Sequence, residues 1–222
     1  MLFVTATPIG NLSDASERLK TILSEAELIA AEDTRKLKQL AGGIGIKLSG
    51  KVISLNDTNE REQVEKLAVQ AKTMKVVLVS DAGMPTISDP GFNLVKECHN
   101  QDVEVISIAG PSAVISAISV SGLPTDRFCF EGFIPKKQSE KKEFFESLAD
   151  EKRTMVFFET APRMVDSLEA AIEVLGDRQG SVSRELTKLF EETITGTLSE
   201  IAEQIAQNPR GEMVLVISGN QS

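Results

Sequence analysis

The sequence predicts an α/β protein built as two α/β domains. Short apolar runs rich in β-branched residues alternate with segments of helical periodicity, which is typical of β-α-β units around a mainly parallel sheet. A chain of 222 residues is long enough for two cores, and Gly110-Pro111-Ser112 interrupts the alternation near its middle. We therefore expect an N-terminal α/β domain over residues 1–112 and a C-terminal α/β domain over residues 113–222.

The first half contains five strand candidates and two well-marked helices. The strands are predicted at residues 2–6, 27–31, 51–55, 75–80 and 103–108. A helix over residues 14–25 would begin with a capping box from Asp14 to Glu17. A second helix over residues 59–73 places its apolar side chains on one face, namely those of Val64, Leu67, Ala68 and Ala71.

The second half repeats the pattern after an apolar segment. Residues 113–121, rich in alanine, isoleucine and serine, predict a buried helix. Strands are then predicted at 127–133, 153–158, 181–185 and 213–218, with helices near 138–149 and 162–175.

Composition limits the classes of protein to consider. Hydrophobic residues make up 41% and charged residues 26% of the chain, as in ordinary folded proteins. No basic leader precedes the first strand and no apolar run approaches the roughly 20 residues of a membrane span, so we expect a cytoplasmic protein with no membrane partner. With Cys98, Cys129 and a single His99, we expect two reduced thiols and no metal site.

The net charge of −9 argues against loose, charge-driven binding to nucleic acid. Two local basic clusters could still contact phosphates, although each is equally well explained as a solvated helix face. The clusters are Arg35, Lys36 and Lys38 in the first half, and Lys136, Lys137, Lys141 and Lys142 in the second.

Three loops rich in glycine and proline follow predicted strands, where ligands bind in open α/β sheets. They comprise residues 7–12, 80–91 and 109–113. Each alone could be an ordinary tight turn, but two glycines, two prolines and two aspartates within twelve residues of the second loop indicate a rigid surface of exposed backbone. The G-x-G-x-x-G and G-x-x-x-x-G-K-[ST] signatures are absent, which disfavours dinucleotide oxidoreductases and P-loop enzymes.

Eight short strings lie in order along the whole chain: Ala6–Leu12, Ala31–Arg35, Val79–Gly91, Gly110–Ala113, Gly122–Phe133, Phe158-Glu159, Arg184–Lys188 and Arg210–Glu212. Together they resemble the ribosomal RNA small-subunit methyltransferase I family of the tetrapyrrole-methylase superfamily. Each string is weakly specific, whereas eight in sequence order are strong.

The resemblance implies a two-domain α/β fold with S-adenosylmethionine bound in the cleft between the domains, and a homodimer. It implies 2′-O-methylation of a cytidine in 16S rRNA, within the 30S subunit or a late precursor. The positions that match the cofactor-binding loops are Pro8, Asp81, Ala82, Gly83, Ile87, Ser112, Ala113, Phe158 and Glu159.

The chain departs from the family pattern at two histidine positions. Ser54–Asn59 stands where the family has a histidine-rich string, and Thr160–Arg163 lacks the histidine before its arginine. No role of those histidines carries over. For acceptor binding and proton removal we assign Asp33, Asn59 and Arg35 as catalytic residues, from a polar set that also contains Glu32 and Arg61; helix capping and surface ion pairs are the structural alternative.

Two other functions stay open from the sequence. A methyltransferase acting on a tetrapyrrole or corrin precursor would share the cofactor loops but needs a broad platform for the ring. A catalytically silent adenosyl-binding or RNA-chaperone module is the other, since the family histidines are missing.

Overall fold

The computed structural model describes residues 1–220, which form two compact units. The first covers Met1–Ser112 and the second begins at Ala113. Each unit has one five-stranded sheet of its own. The prediction of an α/β fold with two sheets is confirmed.

The first unit is a wholly parallel sheet with the strand order β3-β2-β4-β1-β5. Its elements, in chain order, are β1 (Leu2–Thr5), α1 (Glu17–Glu25), β2 (Leu28–Ala31), α2 (Thr34–Gly43), β3 (Lys51–Ser54), α3 (Glu60–Ala71), β4 (Val76–Val79), α4 (Phe92–Asn100) and β5 (Val105–Ile108). Strands buried on both faces read as continuous apolar runs, which is why β1, β2 and β4 were recognisable from sequence.

Side-chain caps mark where α1 and α2 begin. The predicted capping box from Asp14 to Glu17 is wrong: Asp14 lies in a 3₁₀ turn, and the N-cap of α1 is Ser16, whose hydroxyl accepts the Leu19 N–H at 3.0 Å. The N-cap of α2 is Asp33, and α2 ends at Gly43, in a segment rich in glycine.

The second unit has a mixed sheet, so the prediction of a mainly parallel arrangement is wrong for this half. Its strand order is β6-β7-β10-β8-β9. Of the strand pairs described in this second sheet, β6–β7 is parallel and the other three are antiparallel. Its elements are α5 (Ala113–Val120), β6 (Phe128–Phe133), α6 (Gln138–Ser147), β7 (Thr154–Thr160), α7 (Ala161–Leu175), β8 (Gln179–Arg184), β9 (Glu192–Thr197), α8 (Leu198–Gln207) and β10 (Glu212–Ile217).

The sequence reading missed β9 and α8. The start of α8 is marked by a capping box in which the Thr197 hydroxyl accepts the Glu200 N–H and the Glu200 carboxylate accepts the Thr197 N–H. β9 is an edge strand interrupted by Gly196 and pairs antiparallel with β8. Its burial pattern does not alternate, so strand periodicity was too weak to reveal it.

Aromatic side chains fill the centre of the second unit. Phe145 of α6 and Phe157 of β7 are fully buried, and their ring centroids lie 5.9 Å apart in an edge-to-face arrangement. Phe144 packs against both rings. The cluster attaches α6 to the sheet.

No helix within residues 1–220 is long and apolar enough to cross a membrane.

Replacing Phe145 of the aromatic cluster with alanine should lower the free energy of unfolding by about 3–5 kcal/mol, because the change leaves a cavity among the rings. Phe190, which is 59% exposed, is the matched control, and Phe190→Ala should cost less than about 1 kcal/mol. Urea unfolding followed by circular dichroism measures both. Equal losses for the two variants would contradict the packing described.

Candidate functional site

Backbone pairing joins the loops that leave β1 and β4. Thr7 and Gly83 form an isolated antiparallel bridge: the Thr7 N–H donates to the Gly83 carbonyl at 2.9 Å, and the Gly83 N–H donates back at 3.1 Å. Gly83 has a φ of +77°, a conformation that side chains disfavour. The first two predicted loops therefore form one unit of backbone at the carboxyl edge of the sheet.

The loop after β5 packs against the same place. A Cβ at Gly110 would lie 2.9 Å from the Cβ of Ala6, so this approach requires glycine. On the other side, the Cβ position of Gly83 lies 3.8 Å from the Pro111 carbonyl oxygen. The structure thus brings all three predicted loops of the first unit together, with Pro8 buried and Ala82 and Ile87 exposed.

Asp81 connects this loop edge to the end of β2. Its carboxylate accepts the Asp33 N–H at 3.1 Å and pairs with the Lys36 ammonium at 2.8 Å. In the opposite direction, the Asp81 N–H donates to the carboxylate of Glu32 at 3.1 Å. Lys36 and Glu32 thus both contact Asp81. The sequence analysis had placed Lys36 only in a basic cluster and Glu32 only in a polar set.

Asp33 and Arg35 hold each other at the start of α2. One Asp33 carboxylate oxygen accepts the Arg35 N–H at 2.8 Å, and the other accepts from the guanidinium at 2.8 Å. These hydrogen bonds from Arg35 lower the pKa of Asp33 below its usual range. A carboxyl group with a lowered pKa is a weak proton acceptor when ionised, which favours a capping and positioning role for Asp33.

Asn59, the third residue assigned to catalysis, closes a turn after β3. Its side chain accepts the Asn56 N–H at 2.9 Å and donates to the Ser54 carbonyl at 3.1 Å. Both ends of the amide are therefore used within the segment where the family histidines are missing. Asn59 therefore stabilises the turn after β3 through both ends of its side-chain amide.

The next residue, Glu60, clamps the far end of the loop after β4. Its buried carboxylate accepts the N–H groups of Gly91 and Asn93 at 3.0 and 3.2 Å, and the Asn93 side-chain amide at 2.9 Å. A negative charge at these positions also complements the N-terminus of α4. Nothing in the sequence revealed this role, because a glutamate in a first helical turn is common.

Between the Thr7 bridge and the Glu60 clamp, the loop is conformationally strained. Thr86 and Ser88 have φ values of +75° and +61°, although neither is a glycine. Such conformations cost on the order of 1–3 kcal/mol each and concentrate at functional sites. The strained stretch carries Ile87, which is 43% exposed.

In the second unit, Phe158 and Glu159 lie at the end of β7. The Phe158 ring packs edge-to-face on Phe130 and Phe133, with centroids 4.8 and 5.3 Å away. The Glu159 side chain is fully buried, where it accepts from the Ser167 hydroxyl at 2.7 Å and pairs with Arg163 at 3.1 Å. A cofactor contact at Glu159 would therefore come from its backbone.

Both basic clusters are largely neutralised by local carboxylates. Besides the pairs of Arg35 and Lys36, Lys137 pairs with Glu140 at 2.7 Å and Lys142 with Glu173 at 2.5 Å. Lys141 is buried at 2% exposure. The solvated-face interpretation therefore fits most of these residues.

Within residues 1–220, no group of three or more His, Cys, Asp or Glu side chains is arranged to hold a metal ion. What the first unit offers is a set of three loops in backbone contact, beside the carboxylates of Glu32, Asp33 and Asp81. Backbone groups and carboxylates bind the amino group and ribose hydroxyls of a nucleoside-like ligand, and negative charge suits a cationic one.

The chain belongs to the tetrapyrrole (corrin/porphyrin) methylases, whose family model matches residues 1–202. Methyltransferase activity with S-adenosylmethionine as methyl donor is thereby confirmed. Two solved structures share the fold at low identity: diphthine synthase, with a TM-score of 0.70 at 16% identity, and the methyltransferase CobJ, with 0.69 at 15%. They align with 98% of this chain and with 89% and 93% of their own.

Much closer relatives carry the name ribosomal RNA small subunit methyltransferase I. The Mycobacterium tuberculosis protein is 44% identical over 220 residues, which are 98% of this chain and 77% of the relative. The Thermotoga maritima protein is 41% identical over 99% of both chains. The resemblance inferred from eight short strings is confirmed.

Replacing Glu60 with glutamine should destabilise the protein by about 2 kcal/mol, because the amide loses the charge that strengthens three hydrogen bonds. Glu62→Gln, on an exposed side chain of the same helical turn, is the control and should change the unfolding free energy by less than about 0.5 kcal/mol. Urea unfolding compares the two. If Glu60→Gln matched the control, the clamp would have no energetic importance.

Proposed function

We propose that this protein transfers the methyl group of S-adenosylmethionine to the 2′-hydroxyl of a cytidine in 16S rRNA of the small ribosomal subunit. The observation that carries the proposal is the high identity, over nearly the whole chain, to relatives named for small-subunit rRNA. Identity to a cobalt precorrin-4 methyltransferase of cobalamin biosynthesis, a solved structure of the same fold with a TM-score of 0.65, is 15%. This contrast favours RNA over a tetrapyrrole or corrin acceptor.

The first unit fits the methyl donor chemically. We assign Pro8, Asp81, Ala82, Gly83, Ile87 and Ser112 to it, with Ala113, Phe158 and the backbone of Glu159 completing the set. Gly83 adopts the positive φ that pairs its loop with Thr7, and Asp81 with Glu32 supplies negative charge for a sulfonium. The bound donor supplies an electrophilic methyl carbon.

The residues of the chain contribute chiefly by positioning. Displacement at a methyl carbon requires the acceptor oxygen in line with the bond that breaks, and fixed orientation alone can lower the barrier by roughly 7–11 kcal/mol. Arg35 and Asn59 lie at the ends of β2 and β3, beside the Asp81 network, and we assign them with Asp33 to holding the acceptor ribose and its phosphates.

The setting of the reaction follows from the same assignment. The acceptor would be a folded site in the 30S subunit or a late precursor, the enzyme would be cytoplasmic, and two copies would form a homodimer. With a net charge of −9 and four of the seven side chains of the two basic clusters paired with carboxylates, shape would select the RNA more than long-range attraction.

Parallel methyl-transfer assays with one enzyme preparation test the acceptor. The enzyme should transfer radiolabelled methyl groups to under-methylated 30S subunits, with nuclease digestion placing the label on a 2′-O-methylcytidine, and should leave a porphyrinogen unlabelled. Labelled porphyrinogen with unlabelled 30S subunits would overturn the RNA assignment.

Replacing Gly83 with alanine should weaken binding of S-adenosylmethionine at least tenfold, because a Cβ would lie 3.4 Å from Ile9 Cγ2 and would disturb the packing between the loops that we assign to the cofactor. Gly45→Ala is the matched control: Gly45 has a similar φ of +73° and open space around its Cβ position, so it reproduces the strain alone. Calorimetric titration measures both affinities. Unchanged binding in folded Gly83→Ala would remove this loop from the cofactor site.

A further inference from the structure

The parallel pair β6–β7 gives the second unit a sheet edge of the kind that binds ligands. The two strands run side by side from Phe128 opposite Thr154, so their carboxyl ends lie next to each other. In α/β sheets, the segments that leave such ends commonly form ligand sites. The residues that follow β6 therefore occupy a position suited to a ligand.

A β-bulge near the end of β6 turns a further aromatic ring onto one face of the sheet. Phe130 lies opposite Val156. The next aligned pair is Phe133 and Phe158, so β6 advances three residues while β7 advances two. Residues two apart share a face in a regular strand, and the extra residue brings Phe133 to the face of Phe130. Gly132, inside the bulge, has a φ of +75°, which favours glycine.

The bulge leaves Phe133 packed on one side and open on the other. Its ring contacts Phe158 edge-to-face, with centroids 5.3 Å apart, yet the residue is 55% exposed. Exposed aromatic rings are the surfaces on which proteins stack the unpaired bases of RNA.

The backbone that carries the exposed ring is fixed. The next residue, Ile134, is 1% exposed, and its N–H donates to the Phe158 carbonyl at 3.3 Å. The Arg163 guanidinium donates to the carbonyls of Ile134 and Pro135 at 2.5 and 3.0 Å. A ring held in place before a ligand arrives loses little conformational entropy on binding.

A cation beside the ring indicates which ligand fits. Lys136 lies three residues beyond the ring, is exposed, and pairs with no carboxylate of residues 1–220, whereas its neighbour Lys137 pairs with Glu140. The other charged side chains of this edge, Glu159 and Arg163, pair with each other. S-adenosylmethionine carries no phosphate, so an available ammonium complements a nucleotide of RNA better than it complements the methyl donor.

We propose that Phe133 stacks on an unpaired base of the acceptor RNA while Lys136 contacts a phosphate of the same segment; this rests on the proposed function. Stacking accepts any base, so the ring positions the RNA and leaves sequence selection to other contacts. Because Phe133 packs on Phe158, which we assign to the donor, the stacked base lies close to the bound donor.

Steady-state methylation of under-methylated 30S subunits at saturating S-adenosylmethionine tests the ring. Phe133→Leu stays apolar but cannot stack, so it should raise the KM for 30S subunits about tenfold and keep kcat within about twofold of wild type. Phe133→Tyr retains a ring and should keep KM within about twofold. Phe190→Leu is the matched control and should also leave KM unchanged: Phe190 is 59% exposed in the same unit, but the Arg210 guanidinium already lies 5.2 Å from its ring centroid.

The salt dependence of KM tests the lysine. Lys136→Gln should raise KM and reduce the slope of log KM against log salt concentration by about one, as expected for the loss of one phosphate contact. Lys137→Gln is the control, and it should change the slope less because its ammonium is already paired.

Two measurements without turnover distinguish RNA from other occupants of the ring. Phe133→Leu should bind S-adenosylhomocysteine within about twofold of wild type by calorimetry, since the ring does not hold the donor. It should also sediment as wild type does at micromolar concentration. Weaker binding of S-adenosylhomocysteine would assign the ring to the adenine of the donor, and loss of self-association would assign it to a second copy of the chain; either result would overturn the inference.

The kinetic results can also contradict the proposal. An unchanged KM in Phe133→Leu would do so, as would an equal rise in Phe133→Tyr or Phe190→Leu. Should Phe133→Leu fold poorly, an unchanged salt slope in Lys136→Gln would count equally against the site. Failure of the proposed function is a separate result, since wild-type enzyme would then leave 30S subunits unmethylated.

Discussion

The bridge between Thr7 and Gly83 is the constraint on which the candidate site depends. β1 and β4 are neighbours and parallel, so their carboxyl ends lie side by side, and the segments that leave them can exchange two backbone hydrogen bonds. The exchange requires the positive φ that Gly83 adopts at little cost. Without it, the loop to Gly91 would have no fixed origin, and the position of Asp81 against Glu32 and Asp33 would not be defined.

From that fixed origin, the protein gives chemically similar carboxylates different properties. Arg35 makes Asp33 more acidic, burial makes Glu32 less acidic, and burial beside Glu32 does the same to Asp89. Opposite shifts of pKa among carboxylates at one sheet edge thus follow from burial and from hydrogen bonding to Arg35. The distinction lies in the partners of each side chain, not in the residue type.

This explains what the sequence could and could not predict. Parallel strands such as β2 and β4 are buried on both faces and were recognised as apolar runs, and the three ligand loops follow from glycine and proline at strand ends. The antiparallel edge strand β9 lacks alternation, so tertiary pairing with β8 defines it. Glu60 acquires its role from contacts with Gly91 and Asn93, which lie about thirty residues further along the chain, and no local pattern encodes them.

Contacts made in the folded protein also decide how much charge the basic clusters present to a ligand. The sequence presents lysines at 136, 137, 141 and 142 as a basic cluster, yet two of them are paired with glutamates and one is buried. A paired surface lysine adds little attraction for a phosphate until its carboxylate is displaced. An acidic enzyme of this kind gains little from non-specific capture of RNA. For an rRNA methyltransferase with this net charge, complementary shape therefore matters more than long-range attraction in the selection of a site in the RNA.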